Sequence, residues 1–77
     1  MKKEIKILAI KASDWEFLKM RVGDSIISVG ASCRVINGKN EVTSFTVMNE
    51  TSGLYHRWVT EEKPTVKEMF DMARCIA

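Results

Sequence analysis

Ser25-Ile26-Ile27-Ser28-Val29-Gly30-Ala31-Ser32-Cys33-Arg34-Val35-Ile36 is the stretch that decides the fold. Ile27, Val29, Ala31, Cys33 and Val35 are apolar, and small or polar residues mostly separate them. Side chains two apart on an extended chain share a face, so this period of two predicts a long β-strand with one core face. The other face, Ile26, Ser28, Gly30, Ser32 and Arg34, is small and open to approach. Cys33 falls on the core face, where a thiol is packing material rather than a nucleophile.

The neighbouring segments build outward from this strand. Asn37-Gly38 is a strong hairpin signal, because both residues tolerate positive φ. Residues 41–49 form the return strand. A two-residue loop would pair Arg34 with Glu41 but turn Phe45 and Val47 away from Ile27 and Val29. Each buried apolar chain contributes about 1.5–3 kcal/mol, and an exposed ion pair at most ~1 kcal/mol. Burial therefore favours a three-residue loop with Gly38 left-handed, or a bulge at Gly30 that restores the same register.

Residues 4–10 read as a first strand, apolar on both sides. Residues 13–22 allow two readings. Ser13-Asp14-Trp15-Glu16 has the form of a helix capping box, with Trp15, Leu18 and Val22 as a stripe and Gly23 as the stop. The rival is a strand turning back through Gly23-Asp24. The helix is the preferred reading. Thr51-Ser52-Gly53 marks a turn, and residues 54–60 a last strand. Thr65-Val66-Lys67-Glu68 is a second capping box. It opens a terminal helix over 65–76 with Val66, Met69, Phe70, Ala73 and Ile76 at helical spacing.

These elements predict one α+β domain over 1–77. Its antiparallel sheet has three to four strands and is packed by the C-terminal amphipathic helix. If residues 13–22 are a strand, five strands could close into a small barrel. The expected core is Ile5, Ile7, Leu18, Ile27, Val29, Ala31, Val35, Phe45, Val47, Trp58, Met69, Phe70 and Ala73. The order helix, three-stranded meander, helix resembles the topology of double-stranded-RNA-binding domains. Such domains carry phosphate-binding lysines at the start of the last helix. Here that stretch is Glu61-Glu62-Lys63-Pro64, which lends little to an RNA reading.

Composition narrows the function classes. The 77 residues carry a net charge of +2. Residues 1–40 hold eight basic and four acidic groups, and residues 41–77 four basic and six acidic. That polarity can orient the chain on a charged partner but is not a dense nucleic-acid stripe. The run from Ile7 to Ile10 is too short for a signal-peptide core or a membrane span, so the expected location is cytoplasmic. Two cysteines far apart, Cys33 and Cys75, are expected to be free thiols. Asn49-Glu50-Thr51 matches a glycosylation sequon, which carries no weight without a secretion signal.

The densest cluster of functional side chains is Tyr55-His56-Arg57-Trp58. With Trp58 in the core, Tyr55 and Arg57 are left outside, and both types serve as binding anchors. His56 is the only histidine and has no ligand spacing around it, so no metal, cofactor or catalytic residue is expected. Of five methionines, Met20, Met48, Met69 and Met72 offer a soft, adaptable surface. Met48 and Met72 with Ile26, Leu8 and Ile10 would make an apolar patch on the second sheet face, the mark of a homodimer or a protein partner. The expected function is a non-catalytic protein-binding module, a small regulator, adaptor or inhibitor of a larger protein. Tyr55, Arg57, Arg34, Met48 and Ile26 would be its contact residues. The alternative is binding of RNA or single-stranded nucleic acid through Tyr55, Arg57, Arg34 and the amino-terminal lysines.

Overall fold

The computed structural model describes residues 4–13 and 15–77. Met1, Lys2, Lys3 and Asp14 lie outside the described residues, and with them part of the first capping box and of the basic amino-terminal segment. Five strands run in sequence order as one antiparallel sheet: β1 (Ile5–Ile10), β2 (Glu16–Val22), β3 (Ser25–Ile36), β4 (Lys39–Asn49) and β5 (Tyr55–Val59). A 3-10 turn at Thr60–Glu62 leads to the helix α1 (Val66–Ile76). Each strand pairs only with its sequence neighbours, so the sheet is open and not a barrel.

The helix reading of residues 13–22 is corrected. Ser13 Oγ does accept a hydrogen bond from the Glu16 amide at 3.0 Å, as a cap would. The Ser13 amide, however, donates to the Glu16 carbonyl, closing a turn rather than opening a helix. From Glu16 onward Leu18, Met20 and Val22 point to the core while Lys19 and Arg21 alternate with them. Gly23, at φ 61°, then begins a two-residue loop that pairs Val22 with Ser25. The resemblance to double-stranded-RNA-binding topology falls with that first helix.

The β3–β4 register is also corrected, and neither expected device is used. Asn37 and Gly38 form a two-residue loop, both at positive φ, and Arg34 lies opposite Glu41. The pairing shifts between Ser32 and Cys33, leaving Thr43 as an extra residue on β4. This bulge flips the parity of β4, so Val29 meets Val47 and Ala31 meets Phe45 on the core face. Arg34 thus stands opposite Glu41 while these four apolar residues keep to one face.

Two further bulges shape the first half of the sheet. Leu8 is the extra residue on β1, and Phe17 on β2. The Leu8 bulge carries Ile10 to a position opposite Leu18, on the helix side rather than the second face. The Phe17 bulge lies against Gly30. The Trp15 carbonyl accepts from the Ala31 amide at 2.8 Å, and a Cβ on Gly30 would collide with that carbonyl oxygen. Gly30 therefore marks a close approach, with the bulge on the opposing strand.

The core lies between the sheet and α1. Met20, Val22, Ile27, Val29, Val47, Trp58 and Ala73 are its buried residues, with Leu18, Phe45, Met69, Phe70 and Met72 packed against them. Met20 is core, not surface. Val35 is 67% exposed and Cys33 is also exposed, both against expectation. They stand on the part of the β3–β4 hairpin that extends past β2 and β5, where the sheet and the helix give no cover. This arm accounts for the elongated dimensions of 46 × 23 × 20 Å. Cys75 is free and exposed as well. The capping box at α1 is present: Thr65 Oγ1 accepts from the Glu68 amide and the Glu68 carboxylate accepts from the Thr65 amide.

Candidate interaction surface

The sheet face opposite α1 is the candidate site. Antiparallel pairing sets its residues in rows. Lys19, Ser28, Met48 and Tyr55 form one row, and Glu16, Gly30, Thr46 and Arg57 the next. Neighbouring rows on one face are about 7 Å apart and neighbouring strands about 4.8 Å. Tyr55 and Arg57 are side by side at the β5 edge, and both are exposed. His56 points the other way and meets the Trp58 ring edge-on, with centroids 4.7 Å apart.

Small side chains floor the centre of this face. Ser28, Gly30, Ser32 and Thr46 leave an open hollow of about 290 Å³, with Trp15, Glu16, Met48 and Glu50 around it. The hollow exists because alternation put small residues on one face of β3 while Gly30 admits the Trp15 carbonyl just ahead of β2.

One ion cluster stands beside the hollow. Lys19 Nζ lies 3.2 Å from Glu50 Oε2 and 3.7 Å from Glu16 Oε1. The hydrogen bond from Lys19 to Glu50 and the charge of Glu50, then the charge of Glu16, hold the ammonium above the usual lysine pKa. Glu16 Oε1 is buried and has no hydrogen-bond partner among the described residues. At 3.7 Å the lysine gives it charge contact without a hydrogen bond.

Four of the five expected contact residues share this face. Tyr55 and Met48 are direct cross-strand neighbours, Arg57 is in the adjacent row, and Ile26 lies opposite Arg21. Arg34 does not join them. It sits on the arm opposite Glu41, four residues beyond Gly30, or about 13 Å along the strand. Ile10 does not extend the patch as expected, because the Leu8 bulge diverts it, and Met72 packs against the core instead. Sequence reasoning missed Trp15, Lys19 and Glu16 as surface members. The available signal was the alternation of Leu18, Met20 and Val22 with Lys19 and Arg21, which the helix reading overrode.

Among the described residues, no three His, Cys, Asp or Glu side chains come together as a metal-binding group. No helix among them is long and apolar enough to cross a membrane. The chain is thus an α+β protein, an open five-stranded meander backed by one helix. Comparison with protein-family models, with curated proteins and with solved structures gives no match.

Proposed function

We propose that this chain is a non-catalytic protein-binding module, a small regulator, adaptor or inhibitor that presents its open sheet face to a larger protein. One observation carries the reading. Tyr55, which is 60% exposed, stands with Met48 and Arg57 beside a small-floored hollow on the face that the helix leaves bare. Tyrosine and arginine anchor interfaces because they bring large contact area with few rotatable bonds or a rigid donor fork. The hollow accepts a projecting side chain between Trp15 and Met48. The rigid sheet holds these groups in place before contact, which lowers the ordering cost of binding.

The test is retention of a partner from native-cell lysate by the immobilised protein, compared with Tyr55→Ala and Arg57→Ala. Both residues are exposed, so their urea midpoints should match the parent. Loss of a specific partner in either variant is the expected result. No retained protein, or retention indifferent to both substitutions, would refute it.

A second reading, binding of RNA or single-stranded nucleic acid, draws on the Tyr55–Arg57 pair, since a ring and a guanidinium both stack on bases. Glu16 and Glu50 at the hollow and the distance of Arg34 weigh against it. Anisotropy titration with a labelled oligonucleotide at low salt decides this. Binding that weakens steeply with salt would favour the nucleic-acid reading.

A further inference from the structure

The β3–β4 arm ends in an exposed turn, and every residue from Ser32 to Val42 is exposed. At the tip Asn37 and Gly38 form the two-residue loop, at φ 52° and 77°. The ladder closes with Ile36 opposite Lys39, so the Gly38 amide lies outside it. Among the described residues that amide donates to no backbone carbonyl. Open space surrounds Gly38, since even an added Cβ would meet no atom within 4 Å. An asparagine side-chain amide thus stands next in the chain to a backbone nitrogen that is unpaired in the ladder and has no side chain to crowd it. The chain holds three asparagines and no glutamine. The other two asparagines are differently placed. Glu41 follows Asn40, and it stands in the ladder opposite Arg34. Asn49 is 1% exposed and hydrogen bonded at both ends of its side-chain amide. The Glu50 amide that follows it donates to the Ile26 carbonyl at 2.8 Å.

We infer that Asn37 is a site of spontaneous covalent modification, where attack by the Gly38 nitrogen releases the side-chain amide as ammonia. Hydroxide takes the Gly38 amide proton, and the nitrogen bonds to Asn37 Cγ. The bond from Cγ to the side-chain nitrogen breaks. The leaving group takes a proton from water, which regenerates hydroxide, and a succinimide ring remains. One water then opens the ring. Cleavage at Cγ leaves an aspartate. Cleavage at the main-chain carbonyl leaves an isoaspartate, with one more carbon in the backbone. No oxidant or reductant takes part. Ring closure requires the loop to leave its left-handed geometry, and the opening is local. Exposed loop tips open at little cost, and Asn37 holds a φ that non-glycine residues seldom adopt. Both products add a negative charge to the arm. The lengthened backbone of the isoaspartate no longer fits a two-residue loop, so that product loosens the arm and leaves the body of the sheet intact. The site is remote from Tyr55 and Met48 and stands independently of the function proposed for them.

Peptide-mapping mass spectrometry of the full chain, aged in mildly alkaline buffer and sampled over weeks, tests this. The expected result is conversion at Asn37 to both products, while Asn40 and Asn49 stay intact. Because opening the tip costs little, the folded chain should convert at a rate within about tenfold of that in concentrated urea. Asn37→Gln lengthens the side chain by one carbon, disfavours ring closure and should stop the release of ammonia. In the isoaspartate fraction, separated by chromatography, amide resonances from Cys33 to Val42 should shift while those of α1 hold their positions. Reaction at Asn40 or Asn49 as fast as at Asn37 overturns the inference. So does a folded chain that converts more than about tenfold slower than the unfolded one, or ammonia release that persists in Asn37→Gln.

Discussion

Asn49 ties the end of β4 to both the following turn and the helix, and replacing it with alanine should be the most damaging polar substitution in the chain. The side chain is only 1% exposed. Its Oδ1 accepts from the amides of Thr51 at 2.9 Å and Ser52 at 3.0 Å, and its Nδ2 donates to the Ile76 carbonyl at 2.8 Å. Each such bond contributes about 0.5–1.5 kcal/mol net. Thr51 and Ser52 are exposed and regain water, so the three bonds together lose about 2–3 kcal/mol. A domain of this size holds roughly 4–12 kcal/mol in all. Asn49→Ala should therefore lower Tm by about 10–20 °C, read by circular dichroism melts and urea titration. Asn49→Asp sharpens the test. The carboxylate still accepts from both amides but cannot donate to Ile76, and it faces the negative end of the helix. Asn49→Asp should therefore be destabilised at pH 7 relative to the parent although both amide bonds are kept. A Tm within about 4 °C of the parent for Asn49→Ala would refute the reasoning. The same burial makes the Asn49-Glu50-Thr51 sequon a structural residue rather than a glycosylation site in the folded chain.

Gly30→Ala should cost about 1–3 kcal/mol, because the new methyl meets a backbone carbonyl that cannot rotate away; thermal melts read it, and unchanged stability would show that β2 yields freely. Thr65→Ala removes the cap on the Glu68 amide and should cost about 1 kcal/mol by urea unfolding. Glu50→Gln should lower the Lys19 pKa toward 10.5, since Glu50 is its main cause of elevation. Because the Lys19 pKa is raised, its ion pairs are complete below pH 10.5 and are lost as pH rises through the higher folded value. NMR titration of the Lys19 side chain in parent and variant measures this directly.

Local patterns were readable wherever one face of an element was committed. The alternation of β3, the position of the turn at Asn37-Gly38 though not its length, and the Thr65–Glu68 capping box each rest on interactions within a few residues. The face assignment of Tyr55 and Arg57 followed from Trp58 alone, and Met48 joins them as its alternation required. Residues 13–22 were misread because Ser13 makes the same hydroxyl-to-amide bond in a turn as in a helix cap. Only pairing with both β1 and β3 separates the two outcomes, and those partners are distant in sequence.

The sequence by itself determined that this protein is α+β, that β3 has one core face, and that Thr65 caps the last helix. Periodicity and capping are local, and neighbouring residues suffice to select them. The tertiary structure alone decided where the extra residues Leu8, Phe17 and Thr43 fall. A bulge leaves no mark in composition, because it resolves competition between two strands that each satisfy their own alternation. Those three residues set which way Ile10 turns, why Gly30 must be small and how Arg34 can oppose Glu41 while Phe45 stays in the core. Val35 and Cys33, apolar by pattern, stand exposed on the arm where β3 and β4 run past β2 and β5.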